Sequence, residues 1–160
     1  MNLWTRLGGF ETLQSYGFKE NEYKTSENEN IFQKPTLTSP RLEAHLAFIQ
    51  TLPLFFEDSE IIFVHAGVKQ DVPLAETKEF DLLWIRDEFH HGYNGDKKVI
   101  FGHTPTARLR ENKNDHSVFF GENKIIGIDG GAVFGGQLNC LELPSLKITT
   151  ITKLDLIEPS

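Results

Sequence analysis

Two short apolar runs each end in a histidine that is followed by a residue favouring a turn. Residues 61–64 are all apolar before His65, and residues 98–102 lead in the same way to His103. Neither run alternates with polar residues, so both are predicted to be strands covered on both faces. In open α/β sheets, ligand sites form outside the carboxyl ends of the strands. The pattern therefore predicts that both imidazoles reach one site, and it favours a metal-centred site.

The remaining elements follow from turn residues and periodicity. A short helix with glycine-permitted turns is predicted in residues 1–18, and residues 19–38 are predicted to be a polar surface excursion. Ser39 is an expected N-cap before Pro40, in a helix ending at Pro53. Its apolar stripe has helical spacing: Leu42, Leu46 and Ile49. His45, between these positions, is expected on the surface.

A second short helix is predicted around residues 82–85, followed by a loop over residues 90–96. The rest of the chain predicts antiparallel strands separated by turns, over residues 117–120, 124–128, 137–143 and 146–151. Hairpin connections are expected at residues 122–123 and 144–145. The fold class predicted from this order is mixed α/β or α+β, with a layered β-sandwich.

Composition narrows the functional classes. A chain of 160 residues, 39% hydrophobic and 24% charged, fits one globular domain over residues 1–160. The net charge of −7 argues against non-specific binding to nucleic acid or acidic membranes. No apolar run approaches the ~18 residues that a membrane span needs. The single cysteine, Cys140, is predicted to be a buried structural thiol and suits a cytoplasmic protein.

Candidate chemistry centres on three residues. Neutral imidazole is a common metal ligand, so His65 and His103 are candidate ligands, the alternative being two strand-end histidines without a metal. Arg86 could grip phosphate oxygens bidentately, with Trp84 predicted as the core anchor that positions it. The alternative is a surface arginine paired with one of the acidic residues that follow it.

Three other candidates receive weaker interpretations. The adjacent His90 and His91 are predicted to be solvated loop residues rather than ligands. Asp129 precedes two glycines and is expected to bond turn amides, with lining of the site as the alternative. His116 ends an Asn-Asp-His run after a polar turn and is not expected to be a ligand.

Four segments in order resemble the bacterial PPP-type metallophosphatases of the calcineurin-like superfamily, which include serine/threonine protein phosphatases and symmetrical diadenosine tetraphosphatases. They are His-Ala-Gly at residues 65–67, Leu-Trp-Ile-Arg at 83–86, Phe-Gly-His-Thr-Pro at 101–105, and residues 128–136. The stretch between Trp4 and Gly17 is similar to the family's sequence after its Asn-His motif.

The resemblance implies a metallophosphoesterase-like sandwich and a metal-dependent phosphoesterase. In that family two divalent ions, often manganese or iron, activate water for in-line attack on phosphorus, and zinc is a further possibility. It implies that His65 and His103 are ligands of the second ion, that Arg86 clamps the phosphoryl group, and that Phe134 packs near the substrate entrance. Expected substrates are phosphoproteins, as for a serine/threonine phosphatase, or dinucleoside polyphosphates.

The family's other metal-binding motifs, G-D-x-H-G, G-D-x-x-D-R-G and G-N-H-E, do not occur in this sequence. The expectation is therefore a C-terminal portion of the domain, incomplete at its N-terminus, whose own activity is in doubt. A missing segment would expose apolar surface on strands 61–64 and 98–102, favouring self-association or a complementary N-terminal chain. The main alternative is a non-catalytic, degenerate module that binds a partner or phospho-ligand. A weaker one is a single-metal hydrolase that adds Asp129 to the two histidines.

Overall fold

The computed structural model describes residues 8–23 and 37–152. They fall into two compact units, one within residues 1–52 and the other within residues 53–160. The single domain predicted over residues 1–160 stays a prediction. Among the described helices, none combines the length and apolar character needed to cross a bilayer.

The first unit is helical in its described residues. Helix α1 covers Phe10–Ser15 and ends in a turn in which Gly17 has φ 91°. Helix α2 is one turn, Glu20–Tyr23, within the predicted surface excursion, most of which lies outside the described residues. Helix α3 covers Pro40–Gln50, and the Ser39 side chain accepts a hydrogen bond from the Leu42 amide at 3.1 Å. The predicted N-cap of α3 is therefore confirmed.

The predicted surface position of His45 is also confirmed, since the residue is exposed and its Nδ1 lies 2.7 Å from the Tyr16 hydroxyl. The apolar stripe predicted on α3 is not buried, and no other residue of this helix is buried either.

In its described residues, 53–152, the second unit contains seven strands and two α-helices. The strands are β1 Phe55–Glu57, β2 Ile61–Val64, β3 Lys98–Phe101, β4 Phe119–Phe120, β5 Ile125–Gly127, β6 Gln137–Glu142 and β7 Lys147–Thr152. The helices are α4 Glu79–Trp84 and α5 Asp87–Gly92, and short 3-10 turns cover Leu74–Glu76, Thr106–Leu109 and Ala132–Phe134. Every strand predicted from the sequence is present within a few residues, and both predicted hairpins connect β4 to β5 and β6 to β7.

A five-stranded mixed sheet runs in the order β1-β2-β3-β5-β4. Strands β2, β3 and β5 are parallel neighbours, while β1 and β4 are antiparallel at the two edges. The prediction that all strands after β3 form antiparallel sheet is wrong for β5, which pairs with β3 in parallel. Residues 102–124 form the crossover between these two strands, a long-range pairing that local alternation does not encode.

Two apolar clusters cover the faces of this sheet. One face carries Val64, Val99 and Phe101, packed with α4 and α5 through Leu82 and Phe89. The other face carries an apolar cluster that reaches the β6–β7 ribbon: Ile100, Val118 and Ile126, with Phe63 and Leu141. The result is a mixed α/β layered fold, as expected for a metallophosphoesterase-like protein.

Strands β2 and β3 are covered more than expected, although Ile61 and Phe63 of β2 are only half-buried. Residues Ile62, Val64, Val99, Ile100 and Phe101 are all buried. Strand β1 pairs with the outer edge of β2, and the β6–β7 ribbon contributes Leu141 to the cluster on one face. These elements cover most of both strands within the described residues.

Two predicted environments are wrong for a related reason. Cys140 is exposed rather than buried, because successive strand residues face opposite sides and Asn139 takes the inward position. His90 is not a solvated loop residue but lies in α5 and is buried, whereas its neighbour His91 is exposed. In each pair of neighbours, one residue faces the core and the other faces solvent, and the sequence alone does not say which.

Candidate metal and phosphate site

The parallel strands deliver three loops to one edge of the sheet. Val64 pairs with Phe101, and Phe101 pairs with Gly127, so β2, β3 and β5 end at the same level. His65 follows β2 directly, His103 follows β3 after one glycine, and Asp129 follows β5. Adjacent strands lie about 4.8 Å apart, so side chains from these loops share one small region.

Local backbone geometry turns His103 toward His65. The Gly102 amide donates to the His65 carbonyl at 2.9 Å, which ties the two loops together. The Thr104 amide donates to the Gly102 carbonyl at 2.6 Å, closing a three-residue turn around His103, whose φ is 61°. Positive φ is uncommon outside glycine and is concentrated at functional sites. The turn fixes the main chain of His103 at the end of β3.

The two imidazoles approach closely enough to share an ion. His65 Nε2 lies 3.1 Å from His103 Nδ1, and the ring centroids are 4.9 Å apart. Two nitrogens on one ion at about 2.1 Å are about 3.0 Å apart at a right angle and about 3.4 Å apart in a tetrahedron. The observed separation falls between these values. This separation is compatible with two ligand positions on one divalent ion, and in the structure it is a hydrogen bond between the two rings.

Within residues 8–23 and 37–152, no group of three or more His, Cys, Asp or Glu side chains is arranged to hold a metal ion. The imidazole pair by itself would therefore give at most two positions of a coordination shell. Burial lowers the pKa of His103, and the cationic Arg86 and neighbouring His65 lower it further. This shift favours the neutral imidazole, which is the form that binds metals.

Arg86 lies at the break between α4 and α5. Its carbonyl accepts the amides of Phe89 and His90, both at 2.9 Å, so its main chain starts α5. Its guanidinium donates through Nη1 to the Thr104 hydroxyl at 2.8 Å, one residue from His103. Arg86 does not form the alternative ion pair with Glu88, because the Glu88 carboxylate binds the Lys69 ammonium at 2.7 Å. Thr104, which the sequence reasoning missed, connects the arginine to the histidine loop.

Trp84 is a wall of this site rather than a core anchor, which corrects the prediction. Its side chain is 46% exposed and meets the His103 ring edge-on, with centroids 5.4 Å apart. Leu82 and Ile85 take the buried positions of this segment. A residue two places after Leu82 lies about 200° around a helix, so both cannot face the core.

A glycine and an aspartate place the surrounding loops. A Cβ on Gly67 would lie 2.3 Å from the Phe89 ring, so only glycine lets the loop after β2 pass α5. Asp129 Oδ1 accepts the Gly131 amide at 2.8 Å, which confirms the predicted bond to a turn amide. The Asp129 carbonyl also accepts the Thr106 amide at 2.7 Å, so this residue joins two loops.

Phe134 lies in the Ala132–Phe134 turn, with its side chain 77% exposed. It lines a cavity with Pro105 and Arg108, next to the His103 loop. Its place at a substrate entrance stays a prediction, as do the ligand roles of His65 and His103 and the phosphate-binding role of Arg86.

Comparison with known proteins provides independent evidence on the relatives of this chain. No family model matches the chain. The asymmetrical bis(5'-nucleosyl)-tetraphosphatase PrpE of Bacillus cereus strain B4264 is 26% identical over 149 residues, covering 82% of this chain and 53% of that protein. The protein of the same name from Bacillus subtilis strain 168 is 27% identical over 126 residues, covering 68% of this chain and 48% of that protein. The resemblance to PPP-type metallophosphatases is confirmed, but these relatives are named asymmetrical tetraphosphatases, not the symmetrical ones expected from the sequence.

The chain spans about half the length of the curated relatives it matches. A solved structure provisionally described as a diadenosine tetraphosphatase superposes with a TM-score of 0.52 at 20% identity, covering 66% of this chain and 53% of that one. That likeness supports the fold. The curated relatives are named as tetraphosphatases, so the chain resembles enzymes that hydrolyse phosphate compounds.

Proposed function

We propose that this chain is part of a metal-dependent phosphoesterase that hydrolyses dinucleoside polyphosphates. The observation that carries the proposal is the 3.1 Å approach of His65 to His103, with the guanidinium of Arg86 bound to the adjacent Thr104. Two imidazoles and a hydrogen-bonded guanidinium at one sheet edge suit a reaction in which negative charge accumulates on phosphoryl oxygens. Curated relatives with matching sequence are named for this substrate class.

The chain's own groups have distinct roles in this proposal. His65 and His103 would hold one divalent ion, manganese by the family resemblance, and such an ion supplies Lewis-acid polarisation and an activated water. Arg86 orients the phosphoryl group through its planar fork of donors, and Thr104 limits the rotamers that the fork can adopt. The Trp84 ring excludes water from one side of His103.

The same attack of water on phosphorus would also cleave the phosphomonoester of a phosphoserine or phosphothreonine residue, so the reaction type alone does not identify the substrate. The curated relatives carry "asymmetrical" in their names. We therefore expect cleavage of diadenosine tetraphosphate into two unequal products, a nucleoside triphosphate and a nucleoside monophosphate. A symmetrical cut would yield two nucleoside diphosphates instead, so the products identify the bond that is attacked.

Metal binding and turnover are measured separately, since two imidazoles form only part of a coordination shell. Titration with Mn²⁺, followed by its electron paramagnetic resonance signal, should show binding that His65→Asn and His103→Asn each weaken at least tenfold. His91→Asn is the matched control, because His91 is exposed on α5 and outside the pair. Equal Mn²⁺ affinity in all three variants would exclude the imidazole pair as the metal site.

Hydrolysis of diadenosine tetraphosphate with Mn²⁺ is then compared with hydrolysis of a phosphothreonine peptide. Arg86→Ala should lower turnover of the tetraphosphate by about 10²-fold or more, the loss typical of one transition-state donor. Arg86→Lys should restore little, because it lacks the bidentate fork. Lys147→Ala, a charge deletion in the β6–β7 hairpin, is the control. Turnover restricted to the phosphopeptide would overturn the proposed substrate.

A further inference from the structure

A cavity of about 330 Å³ lies beside the imidazole pair, between the 3-10 turns Thr106–Leu109 and Ala132–Phe134. We propose that it binds the nucleoside portion of the substrate, with the aromatic base stacked on Phe134. The inference rests on the proposed function for the choice of a nucleotide as ligand.

The lining offers a flat apolar surface of the kind that a base needs. Pro105 and Ala107 contribute apolar atoms from one turn, and the ring of Phe134 faces the cavity from the other. This ring is 77% exposed, although a large aromatic side chain gains free energy by burial. Stacking against a base would cover it, and such stacking tolerates any base because every base has a π face.

Cations lie at the same cavity, with no acidic residue among its described lining. Arg108 is exposed, and within the described part of the chain no acidic side chain pairs with its guanidinium. Lys113 donates through Nζ to the carbonyl of Arg110 at 2.7 Å and to that of Arg108 at 3.2 Å, which holds its ammonium at the turn. Two cations at one cavity, in a chain of net charge −7, favour an anionic ligand locally.

A buried nitrogen supplies a possible polar contact to the ligand. Nδ1 of His116 is buried and has no hydrogen-bond partner among the described residues, although His116 lines the cavity. The His116 main chain is fixed, since its carbonyl accepts from Asn139 Nδ2 at 2.8 Å. An unpaired buried polar atom costs free energy that a ligand donor or acceptor can recover.

The cavity is held at a defined position relative to the reacting phosphate. Asp129 joins its two walls, because its side chain accepts from Gly131 and its carbonyl accepts from Thr106. Pro105 is two residues after His103, so their Cα atoms are at most about 7 Å apart. A phosphoryl group at the imidazole pair and a base at Phe134 are therefore compatible with one nucleotide lying across Pro105.

The test measures equilibrium binding rather than turnover. Adenosine monophosphate, ribose 5-phosphate and inorganic phosphate are titrated into the chain by isothermal calorimetry or by ¹H–¹⁵N chemical-shift mapping. We expect adenosine monophosphate to bind at least about fivefold more tightly than ribose 5-phosphate, the lower limit for one stacked base. Shifts in the amides of the 3-10 turns Thr106–Leu109 and Ala132–Phe134 should accompany the adenosine ligand.

Variants separate stacking from charge. Phe134→Ala should remove the preference for adenosine monophosphate over ribose 5-phosphate, and Phe134→Trp should retain it. Val133→Ala is the matched control, because Val133 is 86% exposed in the same turn and does not line the cavity. Arg108→Ala should weaken both phosphate ligands by a similar factor. Far-UV circular dichroism verifies that each variant is folded.

The outcomes for this inference differ from those for the proposed function. Equal affinity for adenosine monophosphate and ribose 5-phosphate, or a preference that survives Phe134→Ala, would overturn the nucleoside site even if diadenosine tetraphosphate is hydrolysed. A base preference that disappears in Phe134→Ala supports the site even if no dinucleotide is hydrolysed, in which case the proposed reaction alone fails.

Discussion

Acidification should destabilise this protein through His90, a histidine buried against two phenylalanine rings. His90 is 7% exposed, with ring centroids 5.3 Å from Phe101 and 5.7 Å from Phe89. Burial lowers its pKa to about 4, and the carboxylate of Asp87 opposes this only weakly from 3.9 Å because it is exposed to solvent. The neutral imidazole is therefore the form that folding favours.

The sign and size of the change in unfolding free energy with pH follow from the pKa of His90 in the folded and in the unfolded chain. The folded value of about 4 lies below the value of about 6.5 expected in the unfolded chain, so the unfolded chain binds the proton first. Above about pH 6.5 His90 is neutral in both states and costs no stability, and stability is lost as the pH falls from there toward 4. Linkage gives a loss of about 2 kcal/mol between pH 7 and pH 5, and about 3 kcal/mol in total, to order of magnitude.

Urea unfolding at pH 7, 6 and 5, followed by circular dichroism, measures this loss. The same series with His90→Leu, which keeps a similar volume without a titrating group, should show about 2 kcal/mol less dependence on pH. Its stability at pH 7 should not fall greatly, because His90 Nε2 is a buried nitrogen without a partner among the described residues. His91→Gln, at the exposed neighbour, should keep the full dependence.

The decisive quantity is the difference in unfolding free energy between the wild-type chain and His90→Leu. If this difference is the same at pH 7 and pH 5, His90 is not a neutral buried group and the reasoning fails. A ¹H NMR titration of the His90 imidazole gives a second measurement. A midpoint near 6.5 in the folded protein would contradict the structure in the same way.

Two further substitutions test packing and the loop that follows the Thr106–Leu109 turn. Gly67→Ala should cost about 1–3 kcal/mol by urea unfolding, because its Cβ would overlap the Phe89 ring, whereas Gly102→Ala has no atom nearer than 3.7 Å and should cost under about 1 kcal/mol. Arg110→Ala should lower stability by about 2 kcal/mol or more, since it leaves two main-chain carbonyls and a carboxylate without their charged donor. Arg108→Ala is its control and should stay within about 0.5 kcal/mol. Equal losses for the members of either pair would contradict these assignments.

Much of the fold could be predicted because its determinants are local. The Ser39–Pro40 start of α3 depends on one side-chain cap and one fixed φ angle. Strands β2 and β3 were recognised from unbroken apolar runs, and the following turn residues placed a histidine at each strand end. Parallel pairing in register then brings these ends together, so the convergence of His65 and His103 was also predictable.

The errors occurred where a side chain had to choose between two faces. Residue type favoured Trp84 and Cys140 as core residues and His90 as a solvated one. In the structure Trp84 and Cys140 are exposed and His90 is buried, because of how the neighbouring elements pack. Helix and strand periodicity says which residues share a face, but not which face meets the core. That choice depends on packing partners far away in the sequence.

The sequence by itself determined the elements, their order and the two histidines at strand ends, because caps, turns and apolar runs act over a few residues. Only the tertiary structure decided that Thr104 binds Arg86 and that Asp129 joins two loops. It alone placed a cationic cavity beside Phe134. These contacts connect residues from different strand ends, and their distances exist only after the sheet has set its register and the helices have packed on its face.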